Sequence, residues 1–242
     1  NEYEEWYQPH PAPAYLEEAV YGLTELHRKD LTDAKLVANP GCYPTGAVLG
    51  LAPLAQAGLI ESDVVVDSKS GVSGAGRTLS LTVHYSEVNE NVSAYGLDGH
   101  RHYPEIVQEL RDASPDTEWR VTFTPHLIPM TRGILSTIYL TPKDGAFSFD
   151  ESGKKRLQEL YQEHYRNEPF VRVASAPPQT KQVYGSNMTL VFPTMDLRAR
   201  RIVVVTVLDN LVKGAAGQAI QNMNVMYGLP ENQGLEGLAI YP

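Results

Sequence analysis

The chain has 242 residues, a formal net charge of −9, 42% hydrophobic and 20% charged residues, and a single cysteine. That length suits one large domain, or one domain plus part of another, and the composition is that of a folded protein rather than a disordered one. The acidic balance argues against a broad basic face for nucleic acid, the lone cysteine forbids a disulfide within the chain, and no apolar run reaches the ~20 residues of a membrane span.

The opening, Asn1 to Tyr7, is acidic and aromatic, not the basic-then-apolar pattern of a signal peptide. The cytoplasm is the expected location, and the triplets starting at Asn91 and Asn187 read as chance matches to glycosylation acceptors. Residues 1–13, rich in proline, read as an extended lead-in. Leu16, Val20, Leu23 and Leu26 recur at helical spacing and predict a helix over Tyr15–His27. Leu36–Ala38 is a strand ending at Asn39-Pro40-Gly41, and Cys42–Gly58 reads as a helix. Pro44 is tolerable near its start, whereas Pro53 implies a kink or a break. Val64–Val66 is a buried strand feeding a glycine-rich segment, Ser70–Gly76. A short helix over Pro104–Arg111 precedes strands at Trp119–Thr124, Gly133–Thr141, Thr189–Phe192 and Arg201–Leu208. An amphipathic helix at Phe149–Tyr165 lies among them, and a helix over Leu211–Tyr227 closes the chain before Gly228 and Pro230. This order predicts an α/β (α+β) fold, a mixed, largely antiparallel sheet layered with helices.

Cys42 stands at a strand-to-helix junction. The first N–H groups of a helix lack backbone partners and carry partial positive charge, so a thiol there is expected to ionise more easily than a free cysteine. The same groups suit an oxyanion on an attacked carbonyl. The alternative is a buried structural cysteine.

The run Val37 to Pro53, with Pro40, Gly41, Cys42, Tyr43, Thr45, Gly46, Gly50, Leu51 and Pro53, resembles the active-site signature of the N-acetyl-gamma-glutamyl-phosphate reductases. Trp6-Tyr7, Glu18–Leu23, Ser70–Gly76, His100-Arg101-His102, Pro104–Ile106, Ile128-Pro129, Arg132–Leu135 and Asp209–Gly214 look like landmarks of that family, in family order. The resemblance implies the catalytic-domain fold of glyceraldehyde-3-phosphate and aspartate-semialdehyde dehydrogenases. It also implies NADPH-dependent reduction of an acyl phosphate to an aldehyde through a cysteine thioester, in arginine biosynthesis. The family opens with a nucleotide-binding domain of roughly one hundred residues whose Gly-x-Gly-x-x-Gly turn holds the phosphates. The chain contains no such turn, and the spacing within Gly71–Gly76 is wrong for one. The expectation is therefore a fragment: residues 1–41 as a remnant of that domain, 42–208 as the catalytic and dimerisation domain, and 209–242 as a helix and tail packing back on the remnant.

Thioester chemistry needs an acid/base group, and histidine suits neutral pH. His100 and His102, two apart, point to opposite sides of an extended backbone, so only one is expected to face Cys42. His102, just before a helix start and at the position that resembles the family's acid/base, is preferred. His100 is placed on the substrate side, and His126 reads as structural. Arg101 and Arg132 are chosen for carboxylate or phosphate because arginine binds planar oxyanions through paired hydrogen bonds. Arg77 and Lys69 are read as solvated. Asn39 is a candidate for orienting the thiolate and contacting substrate. The resemblance makes Ser73, Gly74 and Asn210 cofactor contacts, with helix capping as the alternative role for Asn210.

NADP rather than NAD follows from resemblance alone, as does a homo-oligomer, dimer or tetramer. No metal is expected: His100-Arg101-His102 is the only tight ligand pair and lacks a third partner nearby. Gly71–Ala75 fails the Gly-x-Ser-x-Gly pattern of a serine hydrolase at its last position. Three alternatives stay open: a nicotinamide-independent thiol acyltransferase, a non-catalytic assembly module, and the related reductase of an aminoadipyl phosphate in lysine biosynthesis.

Overall fold

A computed structural model describes residues 2–241. The chain opens with α1 (Glu2–Trp6), where an extended lead-in is expected, and a 3₁₀ turn at Pro13–Leu16. The predicted helix over Tyr15–His27 is divided. Ala19–Tyr21 forms β1, and the helix, α2, spans Thr24–Leu31. The β-branched and aromatic pair Val20-Tyr21 favours a strand, and β1 finds a parallel partner in β2 (Leu36–Ala38), a pairing that local periodicity cannot see.

Helix α3 runs over Cys42–Gln56 and continues through Pro53 without a break. Strand β3 (Ile60–Gly71) is far longer than the Val64–Val66 core that announces it. After 3₁₀ turns the chain passes α4 (Tyr85–Val88), β4 (Ser93–Ala94) and α5 (Tyr103–Ala113). It continues through β5 (Arg120–Ile128), β6 (Ile134–Pro142), α6 (Glu151–His164), β7 (Val171–Val173), β8 (Thr189–Asp196) and β9 (Arg201–Leu208). The predicted closing helix begins instead as a π-helical turn at Val212–Ala216 and only then becomes α7 (Gly217–Met226).

The main sheet has the order β4-β5-β3-β6-β9-β8-β7. β3 pairs β5, and β7 pairs β8, in parallel; the four other pairings are antiparallel, as expected of a mixed, largely antiparallel sheet. One face is apolar and buried, carrying Val64, Val66, Ile134, Ile138, Ile202 and Val204 under α3. The alternation places Val65, Tyr139 and Val203 in one cross-strand row of the other face, and Asp67, Thr137, Val205 and Phe192 in the next. All of these are half-buried.

Helix α7 lies against α2, not against the sheet. The Asn222 amide donates to the carbonyl oxygen of Gly22 (2.8 Å) and to Oδ1 of Asn39 (3.1 Å), while the Thr24 hydroxyl donates to Asn222 (2.7 Å). The first 41 residues and the closing helix are thus stitched together beside the sheet.

Candidate active site around Cys42

The junction expected from the sequence forms with Cys42 as the first residue of α3 and Gly41 as its N-cap. Pro44 has no N–H, so the helix start offers the amides of Cys42 and Tyr43, and both are directed at the thiol. Burial nonetheless pushes the thiol up to about 11 against these amides and Arg101, with Glu105 adding to the rise. The expected easy ionisation is therefore reversed: desolvation of a thiolate outweighs two amide dipoles.

A cavity of about 480 Å³ holds Cys42, Tyr43, Gly74, Tyr95, His100, Arg101 and His102. His100 and His102 line it together, contrary to the expectation that only one faces Cys42. The 100–102 backbone is a turn rather than extended. The His102 N–H donates to Nδ1 of His100 (3.0 Å), the Tyr103 N–H donates to the His100 carbonyl (2.8 Å), and the two rings are 4.8 Å apart. The backbone bond to Nδ1 leaves the neutral His100 ring with its proton on Nε2. Tyr43, Tyr95 and Phe123 meet this ring edge-on at 5.7, 5.5 and 5.4 Å.

His102 is the N-cap of α5, with its buried Nδ1 unpartnered among the described residues. Its ring packs on the turn before the thiol: a Cβ on Gly41 would lie 2.5 Å from its Nε2. Burial and the neighbouring positive charge hold His100 down to about 4 and His102 to about 3, so both rings are neutral at physiological pH.

Arg101 is exposed at the cavity wall, and its guanidinium has no partner among the described residues. Arg132 sits elsewhere. Its guanidinium grips the buried carboxylate of Asp209 (2.9 Å) and lies over the Tyr184 ring. Asn39 is engaged by the closing segment, its side-chain amide nitrogen donating to the Ala215 carbonyl and its Oδ1 accepting from Asn222. Asn210 is buried and braces the glycine-rich segment: its carbonyl oxygen accepts from the Gly133 N–H (2.7 Å) and its amide donates to the Ser73 hydroxyl (3.0 Å). Capping falls to Asp209, whose carboxylate accepts from the N–H groups of Leu211 and Val212.

Two contributors lie within the family landmarks without having been assigned to the site. Gly214, in the π-helical turn, lies directly against Cys42, and a Cβ there would stand 2.7 Å from Cβ of Cys42. Glu105 accepts from the Gly41 amide, a backbone partner far from it in the chain. The one three-carboxylate group found among the described residues, Glu25, Glu168 and Glu231, is already engaged by Lys213 and Arg28.

Comparison with known proteins decides the family. The semialdehyde dehydrogenase dimerisation-domain model matches residues 42–210. N-acetyl-gamma-glutamyl-phosphate reductase from Dehalococcoides mccartyi (strain CBDB1) is 51% identical over 241 residues, covering 99% of this chain and 69% of the relative. The reductase of the same name from Symbiobacterium thermophilum is 54% identical over 246 residues, with 99% and 69% covered. The chain belongs to the N-acetyl-gamma-glutamyl-phosphate reductase family. Among solved structures, aspartate semialdehyde dehydrogenase II from Vibrio cholerae superposes with a TM-score of 0.66 at 17% identity, covering 88% of this chain and 70% of that one. That likeness fixes the fold of this reductase-family chain as the one expected of semialdehyde dehydrogenases. No helix among its described residues is long and apolar enough to cross a membrane.

Proposed function

We propose that this chain carries the acyl-transfer site of an enzyme that reduces N-acetyl-gamma-glutamyl phosphate to N-acetyl-glutamate 5-semialdehyde and phosphate, in arginine biosynthesis. The observation that carries the reading is one cavity holding a thiol at a helix start, a neutral imidazole packed on the turn beside it, and an unpartnered arginine. Arg101 attracts the anionic groups of the substrate. Cys42 sulfur attacks the acyl carbon while His102 accepts the thiol proton, and the carbon–oxygen bond to phosphate breaks, leaving a thioester. The amides of Cys42 and Tyr43, with His100 Nε2–H, serve as donors for the developing oxyanion. NADPH, when bound, supplies the hydride that takes the thioester carbon to the aldehyde level. The carbon–sulfur bond then breaks and His102 returns its proton to the departing sulfur.

Gly74 and Ala75 wall the cavity beside Cys42, and there they would hold the flat, reacting end of a nicotinamide. Ser73 and Asn210 hold that wall in place. Arg132 acts through Asp209 on the same wall, and Asn39 acts on the strand leading to the thiol. Residues 1–41 and 209–242 form the side facing a nucleotide-binding domain, with 42–208 as the catalytic and dimerisation unit. A second copy of the chain covers the half-buried sheet face, giving a homo-oligomer. A free thiol nucleophile suits the reducing cytoplasm.

The test is intact-protein mass after brief exposure to N-acetyl-gamma-glutamyl phosphate, with Cys42→Ala alongside. The expected result is an N-acetylglutamyl adduct on the parent chain only, removed by hydroxylamine. Equal labelling of both chains, or of neither, overturns a preformed thioester site.

A further inference from the structure

Glu105 lies in the first turn of α5, is half-buried, and has no part in the chemistry above. Its Oε2 accepts from two donors that come from different parts of the chain: the Gly41 N–H (2.8 Å), immediately before Cys42, and the Tyr21 hydroxyl (2.8 Å) on β1. Burial raises the Glu105 carboxyl, and these two donors oppose that rise by favouring the carboxylate. We propose that Glu105 is the positioning residue of the Cys42 turn, tying the amide before the nucleophile to strand β1 through a single carboxylate oxygen. The catalytic meaning of this positioning rests on Cys42 being the acylated nucleophile; the clamp itself does not.

The geometry supports this in two ways. Gly41 has no side chain because the His102 ring occupies that space, so the turn can be held only through its backbone. With α3 behind it and His102 against it, the Gly41 amide is the free handle, and Glu105 takes it. The charge then acts on the thiol. Tyr7 just after α1, Tyr21 from β1, Arg101 from the preceding turn and Glu109 one turn on along α5 are the other groups that face this carboxylate. Glu109 is engaged by His27 of α2 at 2.7 Å. Arg101 therefore opposes Glu105 at the thiol, the cation favouring the thiolate and the carboxylate the thiol.

The test uses the full chain and reads Cys42 without any acyl transfer. Glu105→Gln keeps a neutral oxygen for Gly41 but removes the charge. Alkylation of Cys42 by iodoacetamide at pH 8 is expected to run about threefold faster than in the parent, since more thiolate is present while each thiolate is a weaker nucleophile. Amide exchange at Gly41 is expected to stay slow in Glu105→Gln and to accelerate at least tenfold in Glu105→Ala. Unchanged alkylation in Glu105→Gln, or equal Gly41 protection in parent and Glu105→Ala, overturns the proposal. If Glu105→Ala fails to fold, the Glu105→Gln alkylation rate decides alone. Failure of the acyl-adduct test with success here removes the thioester reading and leaves the turn clamp standing.

Discussion

At Cys42, burial and helix-start amides act in opposite directions, and burial wins. The consequence is a thiol protonated at rest beside two neutral histidines. Alkylation of Cys42 should therefore keep rising with pH through about 9 to 10, with no plateau near neutrality, because the thiolate fraction grows tenfold per pH unit below the thiol's own value. His102→Gln should leave that alkylation profile in place, since a neutral ring does not tune the resting thiol. The same variant should slow acylation by N-acetyl-gamma-glutamyl phosphate by about 10²-fold or more, the usual worth of a general base. A plateau near pH 7 that vanishes in His102→Gln would show a preformed thiolate–imidazolium pair and contradict this account. At the same scale, the motif residues around Cys42 are legible in the sequence, whereas Glu105 and Gly214 are legible only as landmarks and not in what they do, because each acts on a backbone atom or an empty space supplied by a distant segment.

Helix α3 bears Pro53 without breaking because tertiary structure repairs the damage. Pro53 has no N–H for the carbonyl of Leu49, one turn earlier, and the Tyr165 hydroxyl donates to that oxygen instead (2.5 Å). The Tyr161 hydroxyl donates to the next carbonyl, that of Gly50 (2.6 Å), so α6 and its C-cap Tyr165 supply two donors to the proline's turn. Tyr165→Phe should leave the Leu49 carbonyl buried and unpaired, destabilising the fold by about 1–3 kcal/mol in urea titration. An unchanged midpoint would mean that the helix satisfies this carbonyl by itself. The division of the first predicted helix has the same origin. Periodicity at Leu16, Val20, Leu23 and Leu26 is a local signal, and the parallel pairing of Ala19–Tyr21 with Leu36–Ala38 overrides it.

Across the molecule, a buried ion pair ties the first 41 residues to the π-helical turn under Cys42. Lys213 and Glu25 are both fully buried, 2.6 Å apart, with Gln221 bridging them. Burial pushes the Glu25 carboxyl up, but Lys213 and the Gln221 amide more than offset it, so the net shift is downward. A carboxylate lowered in the folded state stabilises fully above its ordinary value, and that stability is lost as pH falls through the lower folded value. Lys213→Met should cost about 3–5 kcal/mol near neutrality, because it strands a buried charge, and Lys213→Met with Glu25→Gln should recover much of that. Thermal melts between about pH 3 and 7 should show a steeper acid loss in the parent than in the double variant. Equal slopes in the two would remove this pair from the acid response.

The sequence by itself determined the sheet-and-helix class, the strand-to-helix junction at Cys42 and the family signature around it, because these are carried by residues close together in the chain. Cooperation among distant segments was decided only by the tertiary structure. It placed His100 and His102 on the same side of the site by folding their backbone into a turn, turned Arg132 onto Asp209, and raised the Cys42 thiol that its helix position alone would lower. It also brought Glu105 to the Gly41 amide and Gly214 to the back of Cys42. The His100–His102 turn is closed by local hydrogen bonds that an extended reading misses; for Arg132, Glu105 and Gly214 the partner lies more than sixty positions away, and desolvation, charge pairing and steric fit depend on what surrounds a residue in space.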